Sequence, residues 1–313
     1  RYVHAPVYCT SDTPPEDADV VPMASMDVTS FSYACRDTLA EISRLRGDGR
    51  ESEWREKADA VAANLKARLW DDKRHACFDR DKHGKTIDVL CHNTLRCMYW
   101  GSISQEMADA FVRQHLLNPQ EFWTPLPLPS VAVNDPMFRN APENNWSGQC
   151  EGLTYQRAII ALERYGYEPL VTKLGRKLLD ALIRGGYVFT QQFDPFTGEP
   201  SRVGMVSHEV LSRDSDEPFQ DSYGPTLLAA LEYIAHIWGI ALVGDEVWFS
   251  LGSGLSYTYA QRFGDDVYEI KSDGRSGAIY KNRIAVGSAP CGVRLVTNRD
   301  GKILRTVKIE EGV

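Results

Sequence analysis

Apolar residues recur at helical spacing over residues 30–45 (Tyr33, Leu39, Ile42, Leu45) and 53–70 (Ala60, Ala63, Leu65, Leu69). The same period predicts helices over 92–100, 105–117, 153–165, 169–184 and 225–238. Stops follow where a helix must end: Asn118-Pro119, Gly166, Gly185-Gly186 and Gly239. Residues 1–25, rich in Pro and Asp, read as an extended or looped lead-in. Seven helices joined in pairs by long, aromatic-rich loops predict a mainly α chain built as an α/α toroid rather than a tight bundle.

From residue 244 the texture changes. Short β-branched runs at 247–251, 267–270, 278–280, 284–286, 293–296 and 303–309 alternate with Gly, Asp and Asn turns. Asn298-Arg299-Asp300-Gly301 reads as a hairpin turn. Gly252-Ser253-Gly254 precedes a strand-like stretch with no helix after it, which is not the setting of a phosphate loop. The division expected is a helical domain over 1–243 and a small antiparallel β module, sandwich-like and packed on it, over 244–313.

Composition narrows the class. With 313 residues, 43% hydrophobic and 10% aromatic, the chain can bury one large core and one small one. A formal charge of -8 leaves no basic stripe for nucleic acid. No apolar run approaches the ~18 residues of a membrane span. Seven cysteines (Cys9, Cys35, Cys77, Cys91, Cys97, Cys150, Cys291) show neither CxxC pairing nor metal-ligand spacing. Free thiols in a reducing cytoplasm fit them best, with no metal and no cofactor.

Four segments carry candidate chemistry. In the first, Asn144-Asn145-Trp146-Ser147-Gly148-Gln149-Cys150-Glu151-Gly152 places amides, an indole and a carboxylate just before a helix. A flat apolar ring beside short polar arms suits a pyranose and its hydroxyls; an ordinary capped helix over a buried Trp is the alternative. The second, 121–136, should be stiffened by alternating prolines into an extended rod presenting Trp123 and Ser130. The third, 191–200, holds Gln191, Gln192, Asp194 and Glu199, and the acidic stretch 214–225, holding Asp221 and Tyr223, follows it. The acid run 214–217 reads as a solvated loop rather than a metal cage. His92 reads as a structural histidine, and no Gly-x-Ser-x-Gly elbow exists to pair with His208.

Four features in matching order, over roughly residues 25–240, carry a family resemblance. They are Leu69-Trp70-Asp71 at a helix end, Leu128-Pro129-Ser130 with Asp135-Pro136, the Asn-Asn-Trp-x-Gly turn, and Phe193-Asp194-Pro195-x-Thr-Gly. Together they resemble the clan of inverting (α/α)6 glycosidases that includes processing α-glucosidase I, mannosylglycerate hydrolase and, more distantly, trehalase. The resemblance implies hydrolysis of α-linked gluco- or manno-configured glycosides by two carboxyl groups roughly 6.5–9.5 Å apart. It also implies ring stacking on Trp123 and Trp146, and hydroxyl contacts from Asn145, Gln149, Tyr155 and Gln156.

Two departures stand out. The family's catalytic base is a Glu at the position of Gln191, and an amide cannot take a proton from water. Carboxylates of the same loop system that could replace it are Glu151, Glu199 and Asp221. The family's acid loop, expected upstream of the helix that begins near Asp27, has no match. Seven readable helices also fall short of six pairs. The expectation is therefore the C-terminal part of a larger hydrolase, with a sugar-binding pseudoenzyme as the alternative.

Overall fold

The computed structural model describes residues 23–140, 147–201 and 223–311. Among them, helices α1 (Met26–Arg46), α2 (Glu51–Arg68), α3 (Thr94–Trp100), α4 (Gln105–Phe111), α5 (Gly152–Glu163), α6 (Glu168–Arg184) and α7 (Gly224–Trp238) match the seven expected. Left-handed glycines stop two of them, Gly47 after α1 (φ 64°) and Gly101 after α3 (φ 76°). Ser104 caps α4 by accepting the Met107 N–H at 3.4 Å. The expected helix 105–117 is continuous but finishes in a π turn, Val112–Leu116.

The start of α1 is capped from a distance. The Met26 N–H donates to Asp79 Oδ1 at 2.8 Å, and Asp79 is only 3% exposed. Burial, reinforced by the neighbouring Asp27, pushes the Asp79 carboxyl up to about 6 against the pull of that hydrogen bond. α1 packs on α2 and α3, and α3 packs on α5. Along the outer side of α1, Val28, Phe31, Leu39, Ile42 and Leu45 remain exposed.

Contacts divide the chain into two compact units, Arg1–Tyr165 with Ala181–Thr226, and Gly166–Asp180 with Leu227–Val313. The second takes part of α6 and most of α7 together with the strands, so its limits differ from a cut at 243/244. After the two-residue strands of the first unit, β1 (Trp70–Asp71), β2 (Ala76–Cys77), β3 (Cys150–Glu151) and β4 (Gln192–Phe193), the strands of the second are β5 (Ile240–Val243), β6 (Glu246–Leu251), β7 (Tyr257–Phe263), β8 (Asp266–Ser272), β9 (Ser276–Lys281), β10 (Ile284–Pro290), β11 (Val293–Asn298) and β12 (Ile303–Lys308). They form two antiparallel four-stranded sheets, ordered β12-β11-β6-β5 and β10-β9-β8-β7. Val247, Phe249 and Leu251 from one sheet and Tyr268, Ile270 and Ile279 from the other share a single core. β5 begins four residues before the expected change of texture. Arg294 is buried in this unit, donating to Ser250 Oγ at 2.9 Å and to the His236 carbonyl at 3.0 Å.

Candidate active site

The polar loops meet on a small patch of sheet in the first unit. β3 (Cys150–Glu151) pairs antiparallel with β4 (Gln192–Phe193), Cys150 opposite Phe193 and Glu151 opposite Gln192. On the other side of β3, Pro129 bridges Cys150, and the Ser130 N–H donates to the Gln149 carbonyl at 3.1 Å. Alternation along each strand then sorts the side chains. Pro129, Cys150 and Phe193 share an apolar face, while Ser130, Gln149, Glu151 and Gln192 share a polar one. That polar face is buried: exposures are 3%, 1%, 1% and 0% in the same order. The Gly152 N–H donates to the Gln191 carbonyl at 3.1 Å, which makes Glu151–Gln192 the non-hydrogen-bonded pair of the ladder, where side chains stand closest.

Neighbouring hydrogen bonds fix the patch. Ser201 Oγ donates to Gln149 Oε1, Gln149 Nε2 donates to Asn140 Oδ1 at 3.2 Å, and Asn140 Nδ2 donates to Asp194 Oδ2 at 2.8 Å. Asp194 also caps its own turn, accepting the N–H groups of Phe196 (2.8 Å) and Thr197 (2.9 Å). Burial acts against its charge, but the bonds from Asn140 and those two N–H groups outweigh it and hold the carboxyl below its ordinary value. His92 donates or accepts at both ring nitrogens, Nδ1 at 3.0 Å from the Ser130 carbonyl and Nε2 at 3.0 Å from Thr154 Oγ1. Burial, with Arg96 nearby, lowers its pKa to about 3, so the ring stays neutral and ties the Ser130 loop to α5.

The proline loop is not the extended rod expected. Leu128 adopts φ 69°, a left-handed conformation disfavoured for Leu and doubly so before a proline. Its N–H reaches the Phe122 carbonyl at 2.8 Å and its side chain is fully buried, which holds the turn that places Ser130.

Several expected hydroxyl contacts are committed within the protein. Gln149 and Asp194 belong to the chain of amide bonds above. Tyr155, fully buried, donates its hydroxyl to the Pro127 carbonyl, so it locks the proline loop to α5 rather than facing a sugar. Tyr155→Phe is expected to cost about 1 kcal/mol of stability with sugar affinity unchanged. Calorimetric titration beside urea unfolding checks this, and a tenfold affinity loss at unchanged stability would contradict it.

Trp123 and Gln156 are half-buried, Gln191 is buried one residue before the ladder, and Tyr223 precedes α7 with its N–H on the Phe189 carbonyl at 2.8 Å. Glu199 is exposed on the turn closed by its own carbonyl and the Asp194 N–H. Asn145, Trp146 and Asp221 lie outside the described residues, as do His208 and the acid run 214–217. Among the described residues, no group of three or more His, Cys, Asp or Glu side chains could hold a metal.

The structure adds charged groups that the sequence did not single out. Asp27, at the start of α1, accepts Arg96 Nη1 at 2.7 Å and Trp100 Nε1 at 3.0 Å. Arg157, half-buried on α5, has its pKa lowered by burial and by Arg96, while Asp27, Tyr99 and Glu151 act in the opposite sense. The starts of α1, α3 and α5 thus share one electrostatic neighbourhood with Glu151.

Residues 6–214 match the family model described as the mannosylglycerate hydrolase MGH1-like glycoside hydrolase domain. Solved structures agree in fold. A GH63 mannosylglycerate hydrolase from Thermus thermophilus is 20% identical, with a TM-score of 0.51 over 67% of this chain and 47% of that one. Neutral trehalase from Saccharomyces cerevisiae is 16% identical, with a TM-score of 0.55 over 69% and 38%. A sialidase is 14% identical, with a TM-score of 0.63 over 93% and 27%. The chain therefore spans about half the length of the mannosylglycerate hydrolase it matches, or 47%.

Proposed function

We propose that this chain, which belongs to the mannosylglycerate hydrolase MGH1-like glycoside hydrolase family, hydrolyses α-linked gluco- or manno-configured glycosides with inversion of the anomeric centre. Its helices are read as part of an (α/α)6 toroid, followed by the β module. The apolar stripe left exposed along α1 supports that reading, since a toroid helix packs on neighbours at both sides. The substrate is an oligosaccharide or small glycoside, and the site of action is the cytoplasm.

The observation that carries the reading is the buried polar face, on which Glu151 stands opposite Gln192 at the start of α5. A carboxylate in a dry, preorganised setting is suited to proton transfer. Glu199, exposed, and Asp221 are the other candidate carboxylates of the loop system, and either could complete an acid–base pair. Trp123 and Trp146 are read as stacking platforms; Asn145, Gln156, Gln191 and Tyr223 as hydroxyl contacts. The amide at Gln191, where the family's base is expected, favours a second reading, a sugar-binding protein that does not turn over.

A hydrolysis screen on aryl α-glucosides, aryl α-mannosides and the corresponding disaccharides separates the two, with the first-formed anomer followed by proton NMR. Release of the β-anomer first is expected. The α-anomer first would sink inversion, and binding by calorimetry with no release would establish the second reading.

A further inference from the structure

On the polar face of the β3–β4 patch, Gln149 has its amide bonded at both ends, to Asn140 and to Ser201. Two neighbours on that face do not. Both ends of the fully buried Gln192 amide, and the buried Ser130 hydroxyl, have no hydrogen-bond partner among the described residues. Buried amides and hydroxyls are otherwise almost always paired, so a folded chain that leaves two unpaired beside one carboxylate is holding them for something bound. The hydroxyl and the amide oxygen, set beside the Glu151 carboxylate, suit one small molecule that both donates and accepts.

We propose that Ser130, Glu151 and Gln192 hold the hydrolytic water, with Glu151 as the base in place of the carboxylate missing at Gln191. The inference rests on the glycosidase reading above. Water has two hydrogens and two lone pairs. One hydrogen goes to Glu151, the other to Gln192 Oε1, and one lone pair accepts the Ser130 hydroxyl, which leaves the second lone pair for the anomeric carbon. As that lone pair forms the new C–O bond, the glycosidic C–O bond breaks and its electrons stay on the leaving oxygen. A carboxylic acid protonates that oxygen, and Glu151 takes the proton lost by the water. Gln192 Nε2 remains free to donate to a sugar hydroxyl.

α-Glucosyl and α-mannosyl fluoride test this on the 313-residue chain, because fluoride leaves without a proton and only the base side is interrogated. Glu151→Ala is expected to lower fluoride release by about a hundredfold or more. Added azide should restore it by direct attack, giving the β-glycosyl azide, which a merely structural role for Glu151 would not produce. Gln192→Leu should lower kcat, with any rise in KM reporting the lost Nε2 contact; a raised KM at unchanged kcat would leave Gln192 a sugar contact alone and overturn its role in holding water. Undiminished release by Glu151→Ala from an active chain overturns the inference and leaves the glycosidase reading standing. An inactive chain removes both. Should either variant fail to fold, a high-resolution crystal structure of the unmodified chain decides. A water touching Ser130, Glu151 and Gln192 is expected, and its absence overturns the assignment.

Discussion

Gly152→Ala is expected to be strongly damaging to the helical unit. A Cβ there would stand 1.7 Å from Thr226 Oγ1, 2.7 Å from its Cβ and 2.9 Å from its Cα. Rotating Thr226 away cannot relieve the overlap, because the Cα is backbone. The Thr226 hydroxyl is also committed, donating to the Thr190 carbonyl at 2.6 Å in a fully buried position. Overpacking a core ordinarily costs about 1–3 kcal/mol, and a clash against backbone lies at or above the top of that range. Urea unfolding followed by circular dichroism should therefore show a loss of about 3 kcal/mol or more. A midpoint within error of the unmodified chain would mean that the start of α5 shifts freely, and with it Glu151.

Asp79→Asn should do the opposite. The carboxyl is nearly inaccessible and its pKa rises from the ordinary 3.8 to about 6, chiefly through burial. The proton is thus bound more tightly in the folded state than in the unfolded one. The stabilisation from that proton is complete below pH ~4 and is lost as pH rises through about 6. Two pKa units correspond to roughly 3 kcal/mol, so at neutral pH the buried charge weakens the fold by that order. Asn keeps an oxygen to accept the Met26 N–H and carries no charge. The variant should match the unmodified chain near pH 4 and exceed it by a few kcal/mol at pH 7–8. Paired unfolding curves across that range test the sign directly, and a variant less stable at pH 7 would show that the ionised cap outweighs its burial.

The helices were legible because most repeat apolar positions over several turns and end close to a Gly or a Pro that cannot continue them. The patch that brings the loops together was not. Its register joins residue 150 to residue 193 across two helices, and no local pattern encodes such a pairing. The richness in amides was visible, but composition does not say whether an amide serves a ligand or the protein. Gln149 and Asp194 bind each other through Asn140, Tyr155 binds a proline carbonyl, and only the folded chain shows Gln192 and Ser130 without a partner among the described residues. Asp27, Arg96 and Arg157 were passed over because each looks like an ordinary helix-surface charge until α1, α3 and α5 are placed side by side. Leu128 gave no warning either, since a leucine between two prolines signals extension, and burial of its side chain overrode that preference.

The two-residue ladder has a bearing on how this chain can drift in evolution. Its two faces differ completely, Cys150 and Phe193 on one and Glu151 and Gln192 on the other. A slip of one residue would exchange them, turning a thiol and a phenyl ring into the polar side. Length can accumulate in the turn between α5 and α6 without disturbing that phase. A single insertion or deletion at 149–152 would invert it, and no compensating side-chain change nearby could restore the chemistry. Descendants of this sequence should therefore vary freely in the hairpin and keep their spacing at the ladder.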